Sequence, residues 1–129
     1  MTARILCVED NPQNMRLVRK LLKRKYTVLE AEDGLTGLRI AEEEIPDLIL
    51  MDINLPDIDG TEVTRRIKAQ THLNHIPIIA LTANAMYGDE EKYLAAGCDG
   101  YIAKPVMRDK LYREIERFLA LDNQDESTA

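Results

Sequence analysis

Five polar residues stand where short apolar runs of this chain end. Glu9 and Asp10 follow Ile5-Leu6-Cys7-Val8, Asp52 follows Leu48-Ile49-Leu50-Met51, Thr82 follows residues 76–81, and Lys104 follows Tyr101-Ile102-Ala103. Three carboxylates brought close together repel and raise one another's pKa unless a cation lies among them. The donors are all oxygens, no histidine is close in sequence, and Cys7 lies back inside its own run. That set suits a hard ion such as Mg²⁺, which keeps several of its waters. With its neighbours neutralised, one carboxylate becomes a nucleophile toward phosphorus, the route by which aspartyl phosphates form. Lys104 would supply a point charge for phosphoryl oxygens, and Thr82 a hydroxyl donor.

The elements around these residues decide whether they meet. Residues 4–8 read as a short strand, and Asn11-Pro12 as the N-cap and first residue of a helix. That helix sets Met15, Val18, Leu21 and Leu22 on one face, with Arg16, Arg19, Lys20, Lys23 and Arg24 largely on the other. Residues 27–31 form a less apolar strand, suited to a sheet edge. Asp33-Gly34 turns into a helix through about Glu44, with Leu35, Leu38, Ala41 and Ile45 as its expected inward stripe. Residues 48–52 are a continuous apolar run followed by a Pro/Asp/Gly-rich loop, the pattern of a strand buried on both faces. A helix from Thr61 turns Val63 and Ile67 inward, and residues 76–81 are a fourth apolar run. A further helix from about Tyr87 ends at Ala96-Gly97, a C-cap signal. Residues 101–103 make a fifth strand, and Leu111, Ile115, Phe118 and Leu119 form the apolar stripe of the last helix. Residues 122–129 are polar and acidic and read as a frayed tail.

Five strands alternating with five helices imply an α/β domain: a parallel sheet with right-handed crossovers and helices on both faces. Parallel strands finish at one sheet edge, so the five polar residues share that edge. In the order 2-1-3-4-5, strands one and three flank the switch point where ligands settle.

The totals limit the alternatives. The 129 residues suffice for one domain with a proper core, and 45% hydrophobic with 31% charged residues is an ordinary globular mix. A formal net charge of -6 argues against nucleic-acid binding. No run is long enough to cross a bilayer, and no signal-peptide pattern opens the chain. Cys7 and Cys98 lie far apart, outside any metal-like spacing, and read as buried free thiols of a cytoplasmic protein. His72 and His75 lack a neighbouring cysteine or acid to complete a zinc site and read as a solvated pair.

The motifs Val8-Glu9-Asp10, Met51-Asp52-Ile53-Asn54-Leu55-Pro56 with Gly60, Ala80-Leu81-Thr82-Ala83 and Tyr101-Ile102-Ala103-Lys104-Pro105 resemble, in order and spacing, those of response-regulator receiver domains of two-component signalling. The resemblance covers about residues 4–121 and implies a flavodoxin-like fold with a receiver domain over residues 1–121. It implies that Asp52 is the phosphoacceptor, served by a histidine kinase or histidine phosphotransfer protein. Asp10, Asp52 and the backbone carbonyl of Asn54 would hold Mg²⁺, with Glu9 acting through water. Lys104 and Thr82 would bind the phosphoryl group, and the Lys104–Pro105 peptide would be cis. Thr82 and Tyr101 match the family's switch pair, which changes the surface of helix four, strand five and helix five for a downstream protein. Asn54 and Asn84 occupy positions that tune loss of the phosphoryl group. The acidic pair departs from the family pattern in being Glu-Asp rather than Asp-Asp.

Two other functions compete with this phosphorelay switch. A phosphatase of the haloacid-dehalogenase type shares the Asp, Mg²⁺, Thr/Ser and Lys chemistry, but it needs a second Asp two residues after the nucleophile. Here that residue is Asn54. A phosphate-independent scaffold would have shed Asp52, Lys104 or the acidic pair, and all are present. The expectation is therefore a single-domain, Mg²⁺-dependent switch that catalyses only its own phosphorylation and dephosphorylation. With no residues left for an output domain, it is expected to act through a protein partner.

Overall fold

A computed structural model of the chain describes residues 2–83 and 89–127. Ten elements alternate: β1 (Arg4–Val8), α1 (Pro12–Leu22), β2 (Thr27–Ala31), α2 (Gly34–Glu44), β3 (Leu48–Asp52), α3 (Gly60–Lys68), β4 (Ile78–Thr82), α4 (Asp89–Ala96), β5 (Gly100–Ala103) and α5 (Arg108–Ser127). The strands form one sheet in the order β2-β1-β3-β4-β5, every neighbouring pair parallel. The less apolar β2 takes an edge, as its sequence implies.

Alternation along the strands divides the core in two. Ile5, Cys7, Leu48, Leu50, Ile79, Leu81 and Ile102 face α1 and α5, meeting Met15, Val18 and Leu22 of the first and Leu111, Ile115 and Phe118 of the second. Leu6, Val8, Ile49, Met51, Ile78 and Ala80 face the other way, toward Ala41 of α2, Val63 and Ile67 of α3 and Tyr93 of α4. Both faces of β3 and β4 are thus covered, and each of their residues is buried, which is why their sequences read as unbroken apolar runs.

Local signals fix the helix starts. Asn11 caps α1 by accepting from the backbone N–H groups of Gln13 (2.9 Å) and Asn14 (3.1 Å), and Pro12 follows it. Asp33 caps α2 at Thr36 N, and Asp59 caps α3 at Thr61 N. Asp57, in the loop after β3, also accepts from Gly34 N and Leu35 N, both at 2.8 Å, so a carboxylate of that loop fastens the positive end of α2.

The inward face of α2 differs from the stripe expected from its leucines. Leu35 and Ile45 are exposed and Leu38 is half-buried, while Gly34, Gly37 and Ala41 are buried. The helix packs by its backbone: a Cβ at Gly37 would press on Val8, and one at Gly34 on Ile58 and Val63. Apolar periodicity cannot register a face made of glycine. Two further bounds move. β4 begins at Ile78 rather than Ile76, and the helical backbone of α5 runs past residue 121 through Ser127. The start of the fourth helix near Tyr87 lies outside the described residues.

Candidate functional site

The carboxyl ends of β1, β3, β4 and β5 meet in one crevice. β1 and β3 are adjacent and run on either side of the switch point, since the chain leaves β1 for the β2 edge and β3 for the β4 side. Glu9 and Asp10 lie just past β1, while Asp52 and Thr82 are the last residues of β3 and β4. Lys104 follows β5, its backbone N–H donating to Thr82 O at 2.8 Å. The Lys104–Pro105 peptide is cis.

The crevice is graded in exposure. Glu9, Asp52 and Thr82 are buried, Lys104 is partly covered, and Asp10 and Asn54 are exposed. Lys104 Nζ lies 2.8 Å from Glu9 Oε1 and 3.3 Å from Asp52 Oδ2. Asp52 Oδ1 accepts from Asn54 N at 3.0 Å, and Glu9 Oε2 from Asn11 N at 3.3 Å. α3 closes the site from beneath: Gly60 N donates to Ile53 O at 2.9 Å, and a Cβ on Gly60 would overlap the carbonyl oxygen of Asp52. Only glycine permits that approach.

Burial and mutual repulsion set the charges. Burial pushes the Asp52 carboxyl up to about 7, with the neighbouring Glu9 carboxylate adding to it against Asn54 N–H and Lys104. Burial raises Glu9 too, but the neighbouring Asp52 carboxyl and the Lys104 ammonium outweigh it and hold Glu9 below the usual carboxylate range. Burial lowers Lys104, and its contacts with Glu9 and Asp52 more than reverse this. Two buried acids thus share one ammonium, and below about pH 7 Asp52 keeps a proton.

The donor set fits a hard cation. One oxygen from each of Glu9, Asp10 and Asp52 lies within 4.8 Å of the others. Glu9 Oε1 is buried with no hydrogen bond among the described residues; Lys104 Nζ at 2.8 Å neutralises it without the directionality of one. An all-oxygen cluster with an orphaned buried acceptor is the chemistry Mg²⁺ selects.

Thr82 reaches the edge as its sequence position implies, but its hydroxyl is 2.7 Å from the hydroxyl of Tyr93 on α4. Tyr93 also tilts against Tyr101, ring centroids 6.4 Å apart. Tyr101 itself is half-buried on β5. Tyr93 carries no signal in the sequence, since an aromatic in a helix looks like core; its contact with Thr82 is what distinguishes it. Asn84 lies outside the described residues. His72 and His75 are exposed in the α3–β4 connector.

Comparison with known proteins agrees with this geometry. The family model described as the response regulator receiver domain matches residues 5–116. The polar-differentiation response regulator DivK of Brucella ovis is 45% identical over 120 residues, 92% of this chain and 98% of that protein. The receiver domain of a Pseudomonas aeruginosa sensor histidine kinase, crystallised with a magnesium ion coordinated in its active-site cleft, is 44% identical. Its TM-score is 0.87, over 93% of this chain and 99% of its own. A chemotaxis response regulator of Vibrio cholerae is 27% identical with a TM-score of 0.86, over 92% of this chain and 99% of its own.

Proposed function

The chain belongs to the response regulator receiver domain family, and on that premise we propose that it is a phosphorylation switch with Asp52 as phosphoacceptor and a phosphohistidine protein as donor. The observation that carries the reading is the setting of Asp52. It is a buried carboxylate at the end of β3, 3.3 Å from Lys104 and within 4.8 Å of oxygens of Glu9 and Asp10.

In this mechanism Asp10, Asp52 and the backbone carbonyl of Asn54 would hold Mg²⁺, with Glu9 acting through water; the ion would supply positive charge for the phosphoryl oxygens. An Asp52 carboxylate oxygen forms a bond to phosphorus as the P–N bond to the donor imidazole breaks. The imidazole nitrogen keeps the electron pair and later takes a proton from water. Lys104, already drawn into the crevice by Glu9 and Asp52, pairs with a phosphoryl oxygen as charge builds there. Thr82 donates its hydroxyl to another. Asn54 N–H holds the Asp52 carboxylate in its rotamer.

A phosphoryl group carrying about two negative charges, in place of the single charge of the Asp52 carboxylate, then moves Thr82 and Tyr101 and alters the face formed by α4, β5 and α5, which a downstream protein reads. The donor is a histidine kinase or histidine phosphotransfer protein, and the work is done in the cytoplasm, where two buried free thiols are at home.

The test is intact mass after acetyl phosphate, with and without Mg²⁺, beside Asp52→Ala. One phosphoryl adduct requiring both Mg²⁺ and Asp52 is expected. A folded wild type with no adduct overturns the reading.

A further inference from the structure

Tyr93 is 4% exposed, its ring in the apolar layer beneath α2, α3 and α4. A phenol in such a layer needs a partner for its hydroxyl. Here that hydroxyl meets Thr82 Oγ1 at 2.7 Å, and Thr82 is 1% exposed. The Tyr93 ring leans on Tyr101 at an interplanar angle of 49°. The hydroxyl that a phosphoryl group would call on is therefore already engaged by α4, through a side chain that also touches the strand-five tyrosine.

We propose that Tyr93 is a positioning residue, a latch that holds the Thr82 hydroxyl on α4 and releases it when a phosphoryl group occupies Asp52. The inference rests on the reading of Thr82 as a phosphoryl ligand. A threonine hydroxyl carries one proton. The latch takes Thr82 as the donor of the 2.7 Å pair: a proton given to Tyr93 is withheld from the phosphoryl oxygen, so the latch opposes phosphoryl binding by the worth of one buried hydrogen bond. When Thr82 turns away, Tyr93 gives up this bond, and the loss is felt on α4 and on the Tyr101 ring together. Occupancy of the site is in this way reported to two elements by a single exchange of hydrogen-bond partners.

Tyr93→Phe removes the hydroxyl and keeps the ring, so the packing against Tyr101 and the apolar layer survives. The experiment is ¹⁹F NMR titration of beryllofluoride, a phosphoryl mimic, at saturating Mg²⁺ on the full chain. It compares wild type, Tyr93→Phe, Thr82→Ala and the double variant. A net hydrogen bond of about 1 kcal/mol corresponds to an affinity gain of about fivefold in Tyr93→Phe. The gain is expected to vanish on the Thr82→Ala background, and Mg²⁺ affinity to be the same in wild type and Tyr93→Phe. Neither null effect would follow from a merely structural role. Unchanged affinity overturns the latch, as does a gain that persists without Thr82. Weaker binding in Tyr93→Phe also overturns it, since Tyr93 would then be donating to Thr82 and supporting the phosphoryl contact. A wild type that takes neither beryllofluoride nor an acetyl-phosphate adduct fails at the site itself; a wild type that takes both while Tyr93→Phe changes nothing fails at the latch alone.

Discussion

Asp52 carries a conflict that the rest of the site resolves. Its folded-state pKa, pushed up to about 7 by burial and by Glu9, stands above the ordinary 3.8. A carboxyl raised by folding contributes stability below its ordinary pKa and loses that contribution as pH rises through the folded value. The metal-free protein is therefore expected to lose thermal stability from about pH 4 to pH 7 on account of this group. Asp52→Asn, which keeps the shape without the charge, flattens that fall and is the more stable form at pH 7.5 in chelator. Parallel pH profiles of Tm for the two chains check it, and identical slopes count against it. The five residues at the sheet edge were legible in the sequence because each ends an apolar run, and a reactive side chain at a strand end needs no other support to be noticed. Tyr93 was not legible, since its significance lies in one 2.7 Å contact across two elements. The orphaned Glu9 Oε1 was equally hidden, because a sequence carries no angle at which Lys104 approaches it.

Among the elements, the caps were readable and the glycine faces were not. Asn11-Pro12 announces α1, but the inward face of α2 is built from Gly34, Gly37 and Ala41 while Leu35 and Ile45 look outward. A stripe of leucines is visible to periodicity, whereas a close approach of backbones is visible only when both elements are in place. Gly60 is the severe case, its missing Cβ the space that the Asp52 carbonyl occupies. Gly60→Ala is expected to cost more than about 3 kcal/mol, in the range of strong core disruptions. At Gly34 the neighbours are the side chains of Ile58, Val63 and Asp57 rather than backbone; Gly34→Ala is expected to cost about 1–2 kcal/mol. Urea unfolding of the two variants ranks them, and a Gly60→Ala chain as stable as Gly34→Ala would deny that α3 is seated directly on the strand that carries Asp52.

At the scale of the whole molecule, alternation was enough for a parallel sheet with two helical layers but left the strand order open; the order β2-β1-β3-β4-β5 puts the switch point between β1 and β3. What alternation could not give was which residue of each helix meets which strand, because that depends on crossing geometry rather than on pattern. One consequence of the two-layered core is practical. Its two thiols lie in different layers, Cys7 among the residues facing α1 and α5, Cys98 among those facing α2, α3 and α4. Burial raises both thiol pKa values, so neither is a ready nucleophile in the closed protein. Alkylation must then wait for an opening, and each cysteine becomes a clock for its own side of the sheet. Cys98, in the turn between α4 and β5, needs only a local parting of that turn; Cys7, in β1 with strands on both sides, needs the sheet itself to come apart. With single-thiol Cys7→Ser and Cys98→Ser chains under native conditions, the label is expected to reach Cys98 sooner and to reach Cys7 at the pace of global unfolding. The reverse order would mean that the α1 and α5 side is the looser half of the molecule.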